Sequence, residues 1–238
     1  MDGDRIATLV AAFLSDQIRL AGLADSIKIG VVQTAYANGA ATQYVEQHLK
    51  LKVDCTPTGV KHLHHAAEIL DVGVYFEANG HGTVIFSADT LDQIAKYEPK
   101  NPGQAEALSI LRACINLINQ SVGDALSDML LVEVVLAHKS WSPQEWLSTY
   151  TDLPNRLLKV IVKDRRIFKT TDAERKLVAP EGLQAMIDKE VQKVRQGRSF
   201  ARASGTEDAV RVYAEAATKA EAEDLARKVA ELVKNAGS

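Results

Sequence analysis

The chain has 238 residues, of which 46% are hydrophobic and 25% charged, and its formal net charge is −3. This composition predicts a globular protein with a substantial core, and the small negative charge excludes the basic surface typical of nucleic-acid-binding proteins. No run of about 18 apolar residues occurs, which argues against a membrane span, and no signal peptide is recognisable. Cys55 and Cys114 lie far apart without metal-type spacing, so we expect a cytoplasmic protein.

The first part of the sequence alternates between helical and strand-like segments. Apolar residues at helical spacing predict helices over 4–21, 39–50, 60–70 and, with a break near Gly123, 104–138. Short apolar runs predict strands at 27–33, 51–55, 72–78 and 82–87. We expect the last two strands to pair across a Gly-His-Gly turn. This order predicts an α/β domain with three layers, α/β/α, around a mostly parallel sheet, and we place it at residues 1–145.

The pattern changes near residue 150, and a smaller α+β domain is predicted for residues 146–238. A proline-marked turn and a strand are expected within 151–166, followed by a helix over 171–196 with Pro180 near a helix start. Residues 198–216 predict a strand, a polar loop and a second strand. An amphipathic helix follows over 218–237, with Thr218 as its N-cap and Gly237 as its stop.

The polar loop "RASGTEDAVR" (202–211) combines residue types that bind phosphate. A phosphate dianion favours guanidinium groups, hydroxyl donors and free backbone N–H groups, and a glycine lets the backbone approach closely. The alternative is a solvated charged turn, in which the two arginines pair with Glu207 and Asp208. The spacing alone does not decide between these interpretations. The candidate phosphate-binding residues are Arg202, Ser204, Gly205, Thr206 and Arg211.

The segment "YFEANGHGT" (75–83) follows a strand of the predicted parallel sheet, where ligands collect at the carboxyl ends. Glu77, Asn79 and His81 alternate, so they face the same side if the segment is extended. A carboxylate and an amide suit the vicinal hydroxyl groups of a sugar. The alternative is a glycine-rich hairpin with Asn79-Gly80 as its turn, which gives Glu77 and His81 no role.

A third segment, "TPTGVKHLHH" (56–65), carries Lys61 and three histidines, with Thr58 as a plausible N-cap of the helix that follows. The histidines lack the i, i+4 spacing of a helical zinc pair, so we favour solvated histidines over a metal site. Lys61 lies near a helix start, where the helix dipole disfavours a cation and an anionic ligand would stabilise it.

These segments together resemble the phosphoacetylglucosamine mutase family of the α-D-phosphohexomutase superfamily. The resemblance is carried by "TGVKHLHHAAEILDVGVYFEANGHGTVIFS" (58–87) and "RASGTEDAVRVYAEA" (202–216), and "DGDRIATL", "VVQTAYANG" and "YTDLPNRLLKV" follow the same family order. It extends over essentially the whole chain. The EANGHG form points to the N-acetylglucosamine branch, and not to phosphoglucomutases or phosphomannomutases.

The resemblance implies an enzyme of four domains that interconverts N-acetylglucosamine 6-phosphate and 1-phosphate on the way to UDP-N-acetylglucosamine. In that family a phosphoserine of the first domain donates phosphate and a bisphosphate intermediate reorients. Mg²⁺, held by a D-G-D-A-D-R type loop of the second domain, assists transfer. By the same resemblance, the third domain binds the sugar and the fourth domain binds the phosphate that is not transferred.

Site roles follow from the resemblance position by position. Glu77 and Asn79 are expected at sugar hydroxyls, and Thr58 and Gly59 in the neighbouring substrate-facing turn. His81 and Lys61 are expected near the phosphates or the reacting oxygens, as candidates for acid–base chemistry or phosphate contact, and the general base stays unassigned between them. The five residues of the polar loop, 202–211, would bind the phosphate that is not being transferred.

Three departures from the family pattern concern residues that this chain lacks. Ala203 stands where we expect proline, which makes the turn less rigid but removes no phosphate donor. No T-A-S-H-N-P-like serine motif occurs in the sequence. The acidic start, "MDGDR", does not complete the magnesium loop, because Ile6 stands where a third aspartate would fall. Asp2 is better explained as a helix N-cap, with Asp4 in the first turn.

We therefore expect the third and fourth domains of such a mutase, as a fragment or a truncated gene model. This chain alone should bind no Mg²⁺ and should lack mutase activity, because the nucleophile and the metal loop are missing. Its expected partners are N-acetylglucosamine phosphates and the missing N-terminal domains, with no nucleic acid and no membrane. Two alternatives stay open: a stand-alone sugar-phosphate-binding module or pseudoenzyme, and a substrate without the acetyl group.

Overall fold

A computed structural model describes residues 2–237, and the chain divides into two compact units. The first unit comprises residues 2–55 and 59–151, and the second comprises Thr56–Thr58 and residues 152–237. Within the described residues, no helix is both long and apolar enough to cross a membrane. Within the described residues, neither Cys55 nor Cys114 forms a disulfide bond.

The first unit contains the predicted alternation of helices and strands, with α2 continued by a π-helical segment, Tyr44–Leu49. Two short helices, α4 and α7, were not predicted. The capping box of Ser142 and Glu145 around Pro143 was the available sequence signal for α7. The elements are α1 Gly3–Ala21, β1 Ile29–Thr34, α2 Gly39–Gln43, β2 Lys52–Thr56, α3 Val60–Ala67, β3 Val72–Phe76, β4 Gly82–Phe86, α4 Ala88–Lys96, α5 Pro102–Leu117, α6 Ala125–Lys139 and α7 Pro143–Leu147.

The four-stranded sheet of this unit has the order β2-β1-β3-β4. β1 and β3 pair in parallel, whereas β4 is an antiparallel edge strand beside β3. Alternate strand residues face opposite sides: Val31 and Val74 pack in the core that contains α1, whereas Val32 and Tyr75 pack in the core that contains α3. The predicted α/β class with a mostly parallel sheet is confirmed.

The second unit is built on an antiparallel sheet of order β5-β9-β8 and a separate two-stranded sheet of β6 and β7. α9 packs on β5 and β9, and its Leu225 and Val229 are fully buried. The Thr218 side chain accepts from the Glu221 N–H, and Gly237 ends the helix, as predicted. The elements are β5 Asn155–Ile161, β6 Lys169–Thr171, β7 Lys176–Ala179, α8 Leu183–Val191, β8 Arg198–Ala203, β9 Ala209–Glu215 and α9 Lys219–Ala236.

The helix predicted over 171–196 was wrong in its first half. Asp172, Ala173 and Glu174 have φ angles of 52°, 53° and 66°, so the chain turns there in the left-handed region instead of entering a helix. β6 and β7 form a hairpin around this turn, and Leu177 on β7 is buried in the core of the unit. Burial of Leu177 and strand pairing outweigh the helix propensity of the sequence "AERK", and the helix begins only at Leu183.

Candidate functional site

The acidic start of the chain is engaged in local structure. Asp2 is the N-cap of α1 and accepts from the Arg5 N–H at 3.2 Å, as predicted. Asp4 is buried, and its Oδ2 accepts from the Asn38 N–H at 2.8 Å, which ties the first turn of α1 to the segment before α2. In residues 2–237, no group of three or more histidine, cysteine, aspartate or glutamate side chains is arranged to hold a metal ion.

Gly3, between these aspartates, packs directly on the connection between β3 and β4. Its N–H donates to the carbonyl oxygen of Ala78 at 3.2 Å. A Cβ atom at position 3 would lie 1.8 Å from the carbonyl oxygen of Glu77, so only glycine allows this contact. The first turn of α1 therefore supports the backbone of the segment that was predicted to bind sugar.

That segment, residues 77–81, is a tight hairpin turn, called here the 77–81 turn. The Gly80 N–H donates to the Glu77 carbonyl and the Glu77 N–H to the His81 carbonyl, both at 2.8 Å. Gly80 has a φ of 93°, a conformation that glycine adopts without strain. The hairpin alternative is thus confirmed as a description of the backbone, although Ala78 and Asn79 are its central residues and Gly80 follows them.

The polar groups of Glu77, Asn79 and His81 lie close together, although the segment turns and is not extended as the prediction assumed. The Asn79 Oδ1 accepts from the His81 N–H at 2.8 Å, and the Asn79 Nδ2 lies 3.5 Å from the Glu77 carboxylate. Asn79 and His81 are exposed, and Glu77 is half-buried. A carboxylate acceptor and an amide lie next to each other on the surface, an arrangement that suits the donor and acceptor sites of adjacent hydroxyl groups.

A pocket of about 430 Å³ lies beside this turn in the first unit. His81 and Lys61, the second residue of α3, line it together with Val60, Tyr75 and Val122. Gly123 is packed closely on the imidazole, because a Cβ atom there would lie 2.4 Å from the His81 Cδ2. The two candidates for acid–base chemistry or phosphate contact thus share one partly apolar pocket.

The three histidines of α3 have different environments. His62 and His65 are exposed, as predicted, but His64 is half-buried and its Nδ1 lies 3.0 Å from the Tyr75 hydroxyl. Burial raises the pKa of Tyr75 to about 12, so this hydroxyl stays protonated, and the His64 tautomer decides which of the two groups donates. The other ring nitrogen of His64 lies 3.4 Å from Glu68. His64 is therefore a packed and oriented residue of the pocket wall.

In the second unit, residues 204–208 connect β8 to β9 and are called here the 204–208 loop. The Ser204 N–H donates to the Ala209 carbonyl at 2.8 Å, and the Ser204 hydroxyl accepts from the Thr206 N–H at 3.4 Å. Ser204 is buried, whereas Gly205 and Thr206 are exposed. A Cβ atom at Gly205 would meet nothing within 4 Å, so a ligand can approach this backbone closely.

Three cations form a row beside this loop. Lys159 on β5 is directly opposite Arg211 on β9, and Arg211 is directly opposite Arg202 on β8. Directly opposed residues of antiparallel strands point to the same face, and like charges in that arrangement destabilise a sheet unless anions compensate them. Arg202 and Arg211 were predicted as phosphate-binding residues, whereas Lys159 was not, because strand register is not visible in the sequence.

Carboxylates compensate this row of cations. Glu207 accepts from Arg211 Nη2 at 2.8 Å and also contacts Lys159, and the hydrogen bond from Lys159 is the main cause that lowers the pKa of Glu207. The Arg202 Nε lies 3.4 Å from the Glu174 carboxylate. The predicted alternative pairing is therefore correct for Arg211 and wrong for Arg202, which pairs with a residue of the β6–β7 turn.

The prediction of Thr58 as an N-cap was wrong. Gly59 occupies that position of α3, with a φ of 127° and no side-chain cap. The Thr58 N–H and hydroxyl instead donate to the Glu174 carboxylate, at 2.9 and 2.6 Å. Thr58 and Glu174 both lie in the second unit. Glu174 was not among the residues predicted from the sequence, because its turn was assigned to a helix.

An α/β/α unit with a polar hairpin turn and an antiparallel unit with a cation-lined loop define the C-terminal portion of an α-D-phosphohexomutase. Residues 2–141 match the family model "Phosphoacetylglucosamine mutase AMG1, domain III", and residues 157–232 match "Phosphoglucomutase/phosphomannomutase, C-terminal domain". The chain belongs to the phosphoacetylglucosamine mutase family, as the sequence motifs indicated.

Individual relatives support this assignment. The chain is 57% identical over 235 residues to phosphoacetylglucosamine mutase of Candida albicans, covering 98% of this chain and 43% of the relative. It is 52% identical over 230 residues to the human enzyme, covering 96% of this chain and 42% of that enzyme. The structure of Aspergillus fumigatus N-acetylphosphoglucosamine mutase in complex with GlcNAc-6P and magnesium is similar, with a TM-score of 0.98 and 64% identity over all of this chain and 44% of that chain. This chain thus spans less than half the length of these relatives.

Proposed function

We propose that this chain supplies the sugar and phosphate recognition of a mutase that interconverts N-acetylglucosamine 6-phosphate and N-acetylglucosamine 1-phosphate. The observation that carries the proposal is the row of Lys159, Arg211 and Arg202 beside an open glycine loop. A sheet without an anionic ligand gains nothing from three aligned cations, whereas a phosphate monoester dianion is stabilised by all three. The GlcNAc-6P complex of the Aspergillus fumigatus relative supports the choice of ligand.

Each loop has its own part in this proposal. Glu77 and Asn79 accept from and donate to the sugar hydroxyls, with Thr58 and Gly59 in the neighbouring turn. His81 and Lys61 act near the phosphates or the reacting oxygens from the pocket beside the 77–81 turn. The residues that bind the phosphate not being transferred are Arg202, Ser204, Gly205, Thr206 and Arg211, to which the strand register adds Lys159.

Catalysis would need parts of the enzyme outside this sequence. We propose that a phosphoserine and Mg²⁺ of the remaining domains carry phosphoryl transfer through a bisphosphate intermediate, and that this chain binds no Mg²⁺ by itself. The magnesium in the Aspergillus fumigatus complex supports a metal in the full-length enzyme. The expected setting is UDP-N-acetylglucosamine synthesis in the cytoplasm.

We propose that the first unit is the third domain of the enzyme and that the second unit is the fourth. The missing N-terminal domains are the proposed partners of the first unit. The outward face of α6 exposes Leu126, Met129, Leu130 and Val134. Contiguous apolar surface of this kind is typical of an interaction site. Substitution of Met129 with glutamate should therefore reduce the association of the free chain in sedimentation experiments.

Activity and ligand selectivity test the proposal. The purified 238-residue chain should convert no N-acetylglucosamine 6-phosphate above background. It should still bind this ligand in calorimetry, and it should bind it more tightly than glucose 6-phosphate. Conversion above background refutes the proposal that this chain binds the ligand but needs the other domains for catalysis. Stronger binding of glucose 6-phosphate favours the substrate without the acetyl group.

The alternative of a stand-alone sugar-phosphate-binding module uses the same two loops, so binding alone does not separate it from the mutase. The two alternatives are separated by supplying the missing domains. Addition of a separately purified N-terminal portion of the Candida albicans relative should restore mutase activity if the chain is part of an enzyme. A chain that binds ligand and never supports turnover in this mixture would be a binding module.

A further inference from the structure

Glu174 occupies an unusual position in the second unit. Its backbone ends a run of three residues with positive φ, and its carboxylate is directed at Arg202 and Thr58. Only about a fifth of the Glu174 and Arg202 side chains is exposed, 20% and 17% respectively. The turn between β6 and β7 thus brings a mostly buried carboxylate onto a residue of the proposed phosphate site.

The donors around this carboxylate are of the kinds that bind phosphate. One oxygen lies 3.4 Å from the guanidinium of Arg202, and the other accepts from the N–H and the hydroxyl of Thr58 at 2.9 and 2.6 Å. A guanidinium, a backbone N–H and a hydroxyl are the three donor types of anion-binding loops. The Glu174 carboxylate therefore occupies the position in which an external anion would contact these donors.

We propose that Glu174 is an internal competitor for the phosphate site, which the phosphate group of the substrate has to displace from Arg202. The proposal rests on the proposed function in that the displacing ligand is a sugar phosphate. In the free chain the carboxylate compensates the charge of Arg202, whose directly opposite residue on β9, Arg211, carries the same charge.

Competition of this kind makes Glu174 a specificity-determining residue. A monoanion such as acetate offers one negative charge and two acceptor oxygens, and it gains nothing over the tethered carboxylate that it would replace. A phosphate dianion offers more charge and a third oxygen, so it still binds. Glu174 lowers the affinity for every anion, but it lowers the affinity for weak anions to the point where they do not occupy the site.

The test uses the full 238-residue chain and inorganic phosphate as the probe, at low ionic strength. E174Q keeps the size of the side chain and an acceptor for Thr58 but removes the competing charge. Its affinity for phosphate in calorimetry should rise about three- to tenfold over the wild type, and acetate should become a measurable ligand.

Glu190 provides the matched control. Its carboxylate is 21% exposed and contacts Lys193 at 2.6 Å and Lys228 at 3.8 Å, so its partners are not the cations of the proposed phosphate site. E190Q removes the same charge and should leave phosphate affinity unchanged. A measurement without any variant is the ¹³C resonance of the Glu174 carboxyl group in the wild type, which should move as phosphate is added and Arg202 is released.

Each outcome decides the proposal. Unchanged or weaker phosphate binding by E174Q overturns the proposal, because Glu174 would then only position Arg202. The proposal is also overturned if neither the wild type nor E174Q binds phosphate. The proposal is also overturned if the ¹³C chemical shift of the Glu174 carboxyl group does not change at saturating phosphate. If E174Q binds phosphate more tightly but neither form binds N-acetylglucosamine 6-phosphate, the competitor role stands and the proposed function falls.

Discussion

The 77–81 turn and the 204–208 loop are both short connections between antiparallel strands, but the polar groups around them are held in different ways. The 77–81 turn is held by backbone hydrogen bonds and by the contact with Gly3, and Asn79 and His81 remain exposed on it. Beside the 204–208 loop, by contrast, the cations are engaged by carboxylates, with Glu207 on Arg211 and Glu174 on Arg202.

The difference follows from the charge of the groups that each loop presents. An amide and a single carboxylate can remain solvated at little cost, so the 77–81 turn needs no compensating cation. Three cations in one row repel each other, so the sheet beside the 204–208 loop needs carboxylates to compensate them. Changes to backbone packing should therefore damage the 77–81 turn most, and changes to charge should affect the 204–208 loop most.

The largest expected effect comes from crowding the backbone under the 77–81 turn. In Gly3→Ala the new Cβ atom would lie 1.8 Å from the Glu77 carbonyl oxygen, so α1 or the turn has to move. We expect a loss of about 2 to 3 kcal/mol in the free energy of unfolding, measured by chemical denaturation. The control is Gly103→Ala in the first turn of α5, where the nearest atom is 3.4 Å away, and which should be neutral or slightly stabilising.

Acidification should act with opposite signs in the two units. In the first unit, burial of Asp128, helped by the charge of Asp124, raises its pKa from 3.8 to about 7. The folded chain then holds this proton more tightly than the unfolded chain, so stability falls as the pH rises from about 4 to 7. In the second unit, Lys159 lowers the pKa of Glu207, and the stabilisation from that pair is lost as the pH falls through the folded-state pKa.

Asp128→Asn tests the first of these signs. At pH 8 this variant should be more stable than the wild type by about 2 kcal/mol, and the advantage should shrink towards pH 4. Denaturation curves across this pH range measure the difference. A constant difference between Asp128→Asn and the wild type at every pH would contradict a titrating buried carboxyl group.

Charge removal should weaken the 204–208 loop as a phosphate site. Arg202→Gln should lower the affinity for phosphate about tenfold, because a charge-assisted contact is lost. Its affinity should also depend less on salt than that of the wild type, since fewer charges take part. Arg227→Gln, on α9, removes an exposed arginine that pairs with Asp224 and should change neither quantity. Equal salt dependence in all three chains would argue against a charge-based site.

The smallest expected effect is in the exposed part of the 77–81 turn. Asn79→Ala removes the acceptor of the His81 N–H, which is bonded at 2.8 Å. We expect a local loss of about 0.5 to 1 kcal/mol, seen as two- to fivefold faster amide hydrogen exchange at His81. Asn235→Ala near the end of α9 should leave this rate unchanged. An effect on global stability as large as that of Gly3→Ala would mean that the side chain, and not the backbone, holds the turn.

Elements with strong local signals were predictable from the sequence. α1 and α9 have apolar residues at helical spacing and side-chain caps at Asp2 and Thr218, and both were found where expected. The two polar loops were recognised because glycine and charged residues interrupt apolar runs. α4 was missed because only Leu91 and Ile94 represent its apolar face.

Residues brought together by long-range pairing were not predictable. Lys159 joins Arg211 through the register of β5 on β9, which depends on the packing of the whole sheet. Glu174 reaches Arg202 and Thr58 only because residues 172–174 turn back on themselves, against the helix propensity of their neighbours. The role of Gly3 under the 77–81 turn also depends on the tertiary fold, because its contacts are with Glu77 and Ala78, far away in the sequence.

The central claim is that the 77–81 turn recognises the sugar and the 204–208 loop recognises the phosphate. The most direct measurement is the affinity of the 238-residue chain for N-acetylglucosamine 6-phosphate and for inorganic phosphate, in the wild type, Glu77→Gln and Arg202→Gln. Glu77→Gln should weaken only the sugar phosphate, by about tenfold, whereas Arg202→Gln should weaken both ligands. Glu98→Gln, at an exposed carboxylate between α4 and α5, should weaken neither. Equal binding of the sugar phosphate by the wild type and Glu77→Gln would contradict the account.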